Sequence, residues 1–279
     1  MARVRPTAES SMHDARFRHV VFTQNKSDSN MVKTRRINLT SRIKTTRMIK
    51  IDTSITAISE VIIRAGVCSS TSILLTIDTR KDHFTYVDVY CQEMANVNLV
   101  TFLSGSALNH IEINIHLQGY SANANVGLAC LPNQAGAAVV HSLQDHNDRL
   151  TISNLECRAV LADETRVHYH GLITVSKNSN GTDAYQKNAN VLLSNRAKAY
   201  SVPKLEIEAN DVRCTHGSTT AGLSEDDLFY AASRGLNSTI SKRLISQAYL
   251  MTVAKFLHDP KLERVFNRLV ASQLARVIK

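Results

Sequence analysis

Apolar and polar residues alternate along most of the chain, from position 48 to position 222. In the clearest segment, 110–117, isoleucine or leucine occupies four alternate positions and polar residues occupy the others. A period of two is typical of a β-strand that buries one face. Similar short runs lie at 58–63, 73–77, 86–90, 97–103, 126–131, 137–143, 150–155, 167–175 and 191–193. The pattern therefore predicts a mainly β structure of many short strands.

The spacing of these runs narrows the possible architectures. They recur about every 10 to 15 residues and are separated by Asn, Ser, Asp or Gly, which is typical of a sandwich, a barrel or a β-solenoid. Asn180-Gly181 is the one hairpin dipeptide between adjacent runs, so antiparallel meanders are not favoured. There is no tight sequence repeat that would decide between the remaining architectures.

A change of period after position 222 predicts a helical end. Ser224 and Asp227 form a capping box, and Gly235 suits the left-handed position that follows a helix. A second helix is predicted from position 238 and a third after the break at 258–260, with an apolar stripe that continues to the end of the chain. The predicted inner stripe of the first helix consists of Leu228, Ala231 and Ala232.

Charge is concentrated at the start of the chain. The first 50 of 279 residues hold 12 Lys and Arg against three acids, and their net charge of +9 equals that of the whole chain. Such a cluster can bind nucleic acid, but no interleaved aromatic residues accompany it. A solvated basic arm, or a surface for an acidic partner, is therefore favoured over a nucleic-acid patch.

Other sequence features limit the protein class and the cellular compartment. No apolar window of about 18 residues predicts a membrane-spanning helix, and the start has no apolar run of a secretory signal. The five cysteines, at 68, 91, 130, 157 and 214, show no paired spacing, which favours a reducing compartment and predicts a cytoplasmic protein. The sequence has no P-loop and no dinucleotide fingerprint, so we expect no bound nucleotide.

Candidate chemistry centres on Cys214 and His216. Two positions apart on a strand, their side chains share a face, and a thiol beside an imidazole can bind a metal or activate a nucleophile. The alternative is a buried structural cysteine beside a hydrogen-bonded histidine. His168 and His170 also share a face but have no third ligand nearby, and Asp145-His146 could be half of a charge relay without a nucleophile motif.

Several linked segments resemble one family. Residues 205–207, 211–217, 228–230 and 233–236 resemble the signature of the SufB/SufD family, the scaffold subunits of the SUF machine for iron–sulfur cluster assembly. Residues 171–175 and 182–194, and His146 followed by 151–154, are also similar to that family. The resemblance is firm over about residues 146–257 and rests on motifs in one order.

The resemblance implies a fold and a domain division. The expected fold is mainly β, a right-handed parallel β-helix with a C-terminal α-helical subdomain. We divide the chain into a basic arm 1–47, a β-helix core 48–223 and a helical subdomain 224–279. With coils of roughly 20–25 residues, the core would have seven or eight coils. The helices are expected to cover the last coil, whose outer backbone groups lack partners.

The resemblance also implies a non-enzymatic scaffold subunit with several partners. A transient iron–sulfur cluster at a subunit interface would receive ligands from Cys214 and His216. The partners would be a SufB-like subunit or an identical chain, and an ABC-type ATPase similar to SufC that docks at the helical end. The residues expected to bind partners are Leu228, Phe229, Tyr230, Arg234, Leu244, Ile245 and Tyr249.

Two departures from the family pattern bear on this hypothesis. SufB-type chains carry a cysteine at the position of Asn188 and a glutamate at that of Gly217, whereas the Cys-x-His-Gly pattern at 214–217 is similar to SufD. The alternatives from other classes are a β-solenoid carbohydrate-active enzyme, which would need clustered carboxylates that the β half lacks, and a protein that binds nucleic acid through its basic arm.

Overall fold

A computed structural model of the chain describes residues 32–39, 42–51, 53–54 and 57–279. Fourteen strands in this part of the chain form two seven-stranded parallel sheets. The odd-numbered strands form one sheet, here the odd sheet: β1 Val32–Leu39, β3 Ile58–Ala65, β5 His83–Cys91, β7 Leu108–Leu117, β9 Ala137–His146, β11 Arg166–Val175 and β13 Lys198–Ile207. The even-numbered strands form the other, the even sheet: β2 Lys44–Ile51, β4 Ser70–Thr79, β6 Asn96–Gly105, β8 Asn123–Pro132, β10 Ile152–Leu161, β12 Thr182–Leu192 and β14 Val212–Gly222.

The chain alternates between the two sheets and so winds into a parallel β-helix. This confirms the predicted fold class, a mainly β solenoid followed by a short helical region. The coils are longer than the predicted 20–25 residues: Val32 pairs with Ile58, 26 positions later, and His168 pairs with Tyr200, 32 positions later. The difference arises because most coils hold two strands of about ten residues in addition to their turns.

One corner of the coils repeats a left-handed residue. Cys68, Met94, Ser121 and Leu150 all have φ between 54° and 56°, and the backbone N–H of each donates to a carbonyl of the next coil. Gly181, with φ of 77°, continues the column. Left-handed backbone is unfavourable for residues other than glycine. The hydrogen bonds between successive coils offset that cost. Different residue types can therefore occupy this corner, and no sequence motif marks it.

The central strands of the even sheet are buried on both faces, because the C-terminal helices pack against their outer side. Phe102 on β6 meets Phe266 at a ring-centroid distance of 5.9 Å, and Leu74, Leu131 and Val160 belong to the same apolar cluster. The prediction that helices cover the last coil is therefore wrong. The physical reason is that the central even strands carry apolar residues on both faces, and the helices bury the outer one.

The helices are α1 Glu225–Ser233, α2 Ser238–Met251 and α3 Pro260–Val277, with a 3₁₀ segment Thr252–Phe256 after α2. The predicted cap is present, since the N–H of Asp227 donates to Ser224 Oγ at 3.3 Å, and Gly235 has φ of 81°. α3 buries its stripe against the chain's own helical and sheet cluster. α1 buries none of its side chains, so the predicted inner stripe of this helix is not a buried stripe.

A buried carboxylate ties the helical region to the even sheet. The side chain of Glu156 on β10 is 7% exposed, and it accepts hydrogen bonds from Lys255 and from Arg158. The Arg158 guanidinium also lies 4.8 Å from the centroid of the Tyr249 ring on α2. These charged contacts keep the 3₁₀ segment and α2 in register with the sheet.

The strand ladder begins before the predicted core. β1 and β2 fall largely within the stretch assigned to the basic arm, and Arg36, Arg47 and Lys50 are exposed on them. Residues 1–31 of the arm lie outside the described part of the chain, and the three-part domain division remains a prediction. Among the described residues, no helix is long and apolar enough to cross a membrane.

Candidate functional site

The last coil leaves the edges of both sheets open. β13 pairs with β11 and β14 pairs with β12, and neither has a second neighbouring strand in the part of the chain that the structure describes. Every second residue of β13 and most of β14 are exposed. The open edges present backbone N–H and C=O groups that can pair with another strand.

Cys214 and His216 lie on the inward side of β14, at this open end. In register they stand above Ala184 and Gln186, both of which are buried inside the coil. Cys214 is half-buried because it packs on a small cluster with Ile173 and Ala209, whereas His216 is exposed. The shared face expected from the sequence is therefore present on a regular strand.

The environment of Cys214 favours the protonated thiol. Burial raises the pKa of Cys214, a hydrogen bond with the backbone of Ala184 lowers it, and the negative charge of Asp183 raises it again. Reactive nucleophilic cysteines have a lowered pKa. Cys214 therefore lacks the activation that a nucleophile needs, while a metal ion could still displace its proton.

The coil interior is apolar beneath Cys214 and becomes polar beneath His216 and the rest of β14. Gln186, Asn188 and Asn190 all point into the coil from β12, and each is at most 2% exposed. Asn190 Nδ2 donates to Asn188 Oδ1 at 2.8 Å and to Thr220 Oγ1 at 3.1 Å on β14. Neither polar atom of the Gln186 amide has a partner among the described residues. The sequence analysis missed this polar interior, although polar residues at alternate positions of 186–190 signal it.

Two glycines make room at this end. A Cβ on Gly217 would meet no atom within 4 Å, which shows how open the last strand is. A Cβ on Gly171 would lie 2.1 Å from Gln186 Nε2 and 2.6 Å from the Tyr169 hydroxyl, so only glycine leaves space for both side chains.

One coil near the open end places polar residues in the mostly apolar interior of the solenoid, and the column that contains Gln144 is apolar again at Ile173. Ile63, Val89 and Ile115 form one inward column, and the next residue in that column is Gln144. Its Nε2 donates to Ser153 Oγ at 2.6 Å, and His146 contacts Ser153 Oγ and Thr151 Oγ1 at 2.8 Å each. The family-like segment of His146 and 151–154 is thus a hydrogen-bonded cluster inside one coil.

The other candidate residues do not assemble into a site. Asp145 faces outward and accepts from His116, while His146 faces inward, so the two cannot form a relay. His168 stacks on Tyr200 with ring centroids 4.6 Å apart. Across the described ranges, no three His, Cys, Asp or Glu side chains are placed to hold one metal ion.

The seven residues expected to bind partners fall into two groups. Phe229 and Tyr230 on α1 are 76% and 61% exposed, and Leu244 on α2 is 49% exposed. Arg234, also exposed, lies with its guanidinium 5.1 Å from the Tyr230 ring centroid. The remaining three, Leu228, Ile245 and Tyr249, are half-buried. The exposed group therefore consists of two aromatic residues on α1, the arginine that follows them and one leucine on α2.

A family model described as the SufBD core domain of SUF-system FeS cluster assembly matches residues 22–249. The chain belongs to the SufB/SufD family. One similar curated SufB/SufD relative is the iron–sulfur cluster assembly protein SufD of Escherichia coli, 27% identical over 182 residues. SufBD family proteins of Synechocystis sp. and Mycobacterium leprae are 33% and 32% identical over 92 and 103 residues.

These alignments cover part of each protein. They include 65%, 33% and 37% of this SufB/SufD-family chain, and 43%, 20% and 26% of the relatives in the same order. The chain therefore matches less than half the length of each of these relatives. Family membership supports a role in iron–sulfur cluster assembly, and the finer roles below are proposals.

Proposed function

We propose that this chain is a non-enzymatic scaffold subunit of a SUF-type iron–sulfur cluster assembly complex, working in the cytoplasm. In this proposal the open end coil pairs with a SufB-like or identical chain, and Cys214 and His216 contribute ligands to a cluster that forms at the interface. An ABC-type ATPase similar to SufC binds the exposed surface of α1 and α2 and supplies the energy for rearrangement.

The observation that carries the proposal is the position of the Cys214–His216 pair on an uncovered strand. Both side chains face the interior of the end coil, and within the described residues no further coil pairs with β14 to cover that interior. A second chain that extends the open sheets by strand addition would cover the pair. The cluster that forms at the interface would then be enclosed between two subunits and released when the subunits move apart.

The donor set suits a nascent cluster as cargo. Thiolate is the usual ligand of iron in these clusters, and replacing thiolate by imidazole raises the cluster potential. A single thiol and a single imidazole leave coordination positions for a partner's ligands. Asn188 is committed to hydrogen bonds below the strand, and Gly217 offers no side chain, so this chain supplies half of a ligand set.

The enzymatic alternative has less support. A β-solenoid carbohydrate-active enzyme needs a carboxylate pair or a poised base. Glu156 on β10 is bound to Lys255 and Arg158, and Asp145 on β9 accepts from His116, Asn147 and Thr174. These carboxylates are committed to structural contacts.

Substitution of the two site residues tests the proposal. Cys214→Ala and His216→Ala, made separately, should abolish complementation of a strain that lacks its own scaffold. The melting temperature should fall by no more than about 4 °C, because a half-buried thiol and an exposed imidazole contribute about 1 kcal/mol or less.

Thr215→Ala provides the matched control, since this exposed residue lies between the two on the opposite face of the same strand. It should complement fully. Full complementation by both Cys214→Ala and His216→Ala would end the proposal that this pair handles iron or sulfur. Loss of complementation together with a large fall in melting temperature would show that the residues are structural.

A further inference from the structure

Two basic segments that are far apart in the sequence meet in the fold. The described residues 32–39 and 42–51 contain seven Lys and Arg and no Asp or Glu, and residues 236–279 contain eight Lys and Arg against two acids. The Thr46 side chain on β2 hydrogen-bonds the carboxylate of Asp259, which caps the start of α3. The first even strand and the last helix therefore adjoin each other, and their positive charges belong to one region of the molecule.

Five cations share the outer side of this region. Two of them lie on the face of β2 that points away from the coil interior, on the same side as Thr46. The other three lie on α3 at a spacing of three and four residues, which places them along one line of the helix. All five side chains are exposed. We call these residues the cationic face: Lys44, Lys50, Lys261, Arg264 and Arg268.

The cationic face has no counter-charge of its own. None of its five residues forms an ion pair with a carboxylate in the part of the chain that the structure describes. Of the two acids in residues 236–279, Asp259 accepts from the N–H groups of Lys261 and Leu262 at 2.8 and 3.0 Å, and Glu263 is half-buried. Positive charges that lie together without partners repel one another, so an anionic partner would stabilise them.

The surroundings of the cationic face narrow the chemistry of that partner. The apolar stripe of α3 is buried against the chain's own sheet and helices, so this helix has no free apolar side to enter a lipid surface. Its one aromatic residue, Phe266, is fully buried and cannot stack on the bases of a single strand. A helix that reads duplex DNA enters the major groove, whereas α3 lies along the sheet. An acidic protein surface requires only exposed cations at matching positions.

We propose that the cationic face docks a partner protein through a surface of that partner that is rich in Asp and Glu. Charge complementarity of this kind raises the association rate and fixes the orientation of the two proteins. The cationic face includes none of the residues proposed to contact the second scaffold subunit or the ATPase. This inference therefore goes beyond the proposed function and does not depend on it.

Binding of a fluorescent polyglutamate peptide of about 20 residues to the full chain tests the proposal, measured by anisotropy at about 50 mM and about 200 mM salt. The unmodified chain should bind the peptide, and more weakly at the higher salt because salt screens exposed charges. Lys261→Gln combined with Arg264→Gln and Arg268→Gln removes three charges and keeps good helix formers. This variant should bind at least about fivefold more weakly, with an unchanged melting temperature.

A matched control removes the same charge elsewhere. Lys81→Gln combined with Arg149→Gln and Lys177→Gln changes three exposed cations in turns of the solenoid, and it should bind the peptide like the unmodified chain. The basic residues before position 32 are the same in every variant, so a difference between the two triple variants reports on α3. Lys44→Gln with Lys50→Gln tests the β2 half of the cationic face separately and should also weaken binding.

Two further probes distinguish the classes of anion. A DNA duplex of about 20 base pairs and vesicles that contain phosphatidylserine are titrated under the same conditions. Tighter binding of either probe than of the peptide, together with its loss in the α3 variant, would overturn the proposal in favour of a nucleic-acid or lipid surface. Absence of peptide binding, equal peptide binding by the two triple variants, or binding that salt does not weaken would also overturn it.

Discussion

At the scale of single residues, His146 shows how one family-like segment is satisfied inside the coil. The imidazole is fully buried, and both of its nitrogens contact hydroxyl groups, those of Thr151 and Ser153. Burial lowers the pKa of His146 to about 4, although the charges of Asp145 and Asp183 act in the opposite direction. The folded protein therefore holds this side chain neutral at a pH where the unfolded chain would protonate it.

Stability should consequently fall with decreasing pH. Above about pH 6.5 His146 is neutral in both states and has no effect on the free energy of unfolding. Between about pH 6.5 and 4 only the unfolded chain binds the proton, so the folded state loses up to about 3 kcal/mol from this residue. His146→Gln keeps a hydrogen-bonding side chain that does not titrate.

Denaturant unfolding of both proteins at pH 7 and pH 4.5 measures the effect. When the pH is lowered from 7 to 4.5, the free energy of unfolding should decrease more in the unmodified chain than in His146→Gln. Other histidines contribute equally to both proteins, so the difference reports on His146. Parallel pH dependences would show that the histidine is protonated, or exposed, in the folded state.

At the scale of elements, the closest packing between the helical region and the even sheet is at the 3₁₀ segment after α2. Gly127 on β8 lies directly beneath this segment, and a Cβ there would be 2.7 Å from Val253 Cβ and 3.2 Å from Phe256. Both of these side chains are buried in the cluster that joins helices and sheet. Glycine at this position permits the close approach of helix and strand.

Gly127→Ala should therefore destabilise the fold through overpacking, by about 1–3 kcal/mol. Thermal unfolding and denaturant unfolding measure the change. Gly222→Ala is the matched control, because its Cβ would meet only one atom, at 3.9 Å. Equal stability of the two variants would contradict close packing of the 3₁₀ segment against β8.

At the scale of the whole molecule, the helices lie along the side of the solenoid and leave its end coil open. One chain therefore offers the open edges of β13 and β14 and the exposed residues of α1. A chain that ends at Gly222 would test helix function poorly, because it would uncover the apolar face that includes Phe102 and Leu131. Surface substitutions separate partner binding from stability.

If the proposed ABC-type ATPase binds here, Phe229→Ser with Tyr230→Ser should weaken its binding by at least about tenfold, since exposed aromatic residues dominate many interfaces. The melting temperature should stay nearly constant, because the two side chains are 76% and 61% exposed. Tyr120→Ser, at an exposed corner of the solenoid, is the control and should bind normally. Co-purification and titration measure both; undiminished ATPase binding by the double variant would exclude α1 as the docking surface.

The sequence by itself determined the strands, the helices and the pairing of Cys214 with His216 on one face. These features are local, because a period of two or of 3.6 and a capping residue act within a few positions. The family-like segments added the parallel β-helix, which alternation alone could not distinguish from a sandwich or a barrel. The strands β1 and β2 were not predicted, because their many basic residues obscure the alternation.

The tertiary structure alone decided where the helices lie and which side chains meet across coils. The outer apolar face of the even sheet packs against the apolar stripe of α3. No local sequence pattern indicates that these two surfaces contact each other. The stacked rings of His110, His141 and His170 join three successive coils, and the hydrogen bond from Asn190 to Thr220 joins the last two even strands. Coil lengths vary from 26 to 32 residues, so no fixed period in the sequence could have revealed these columns.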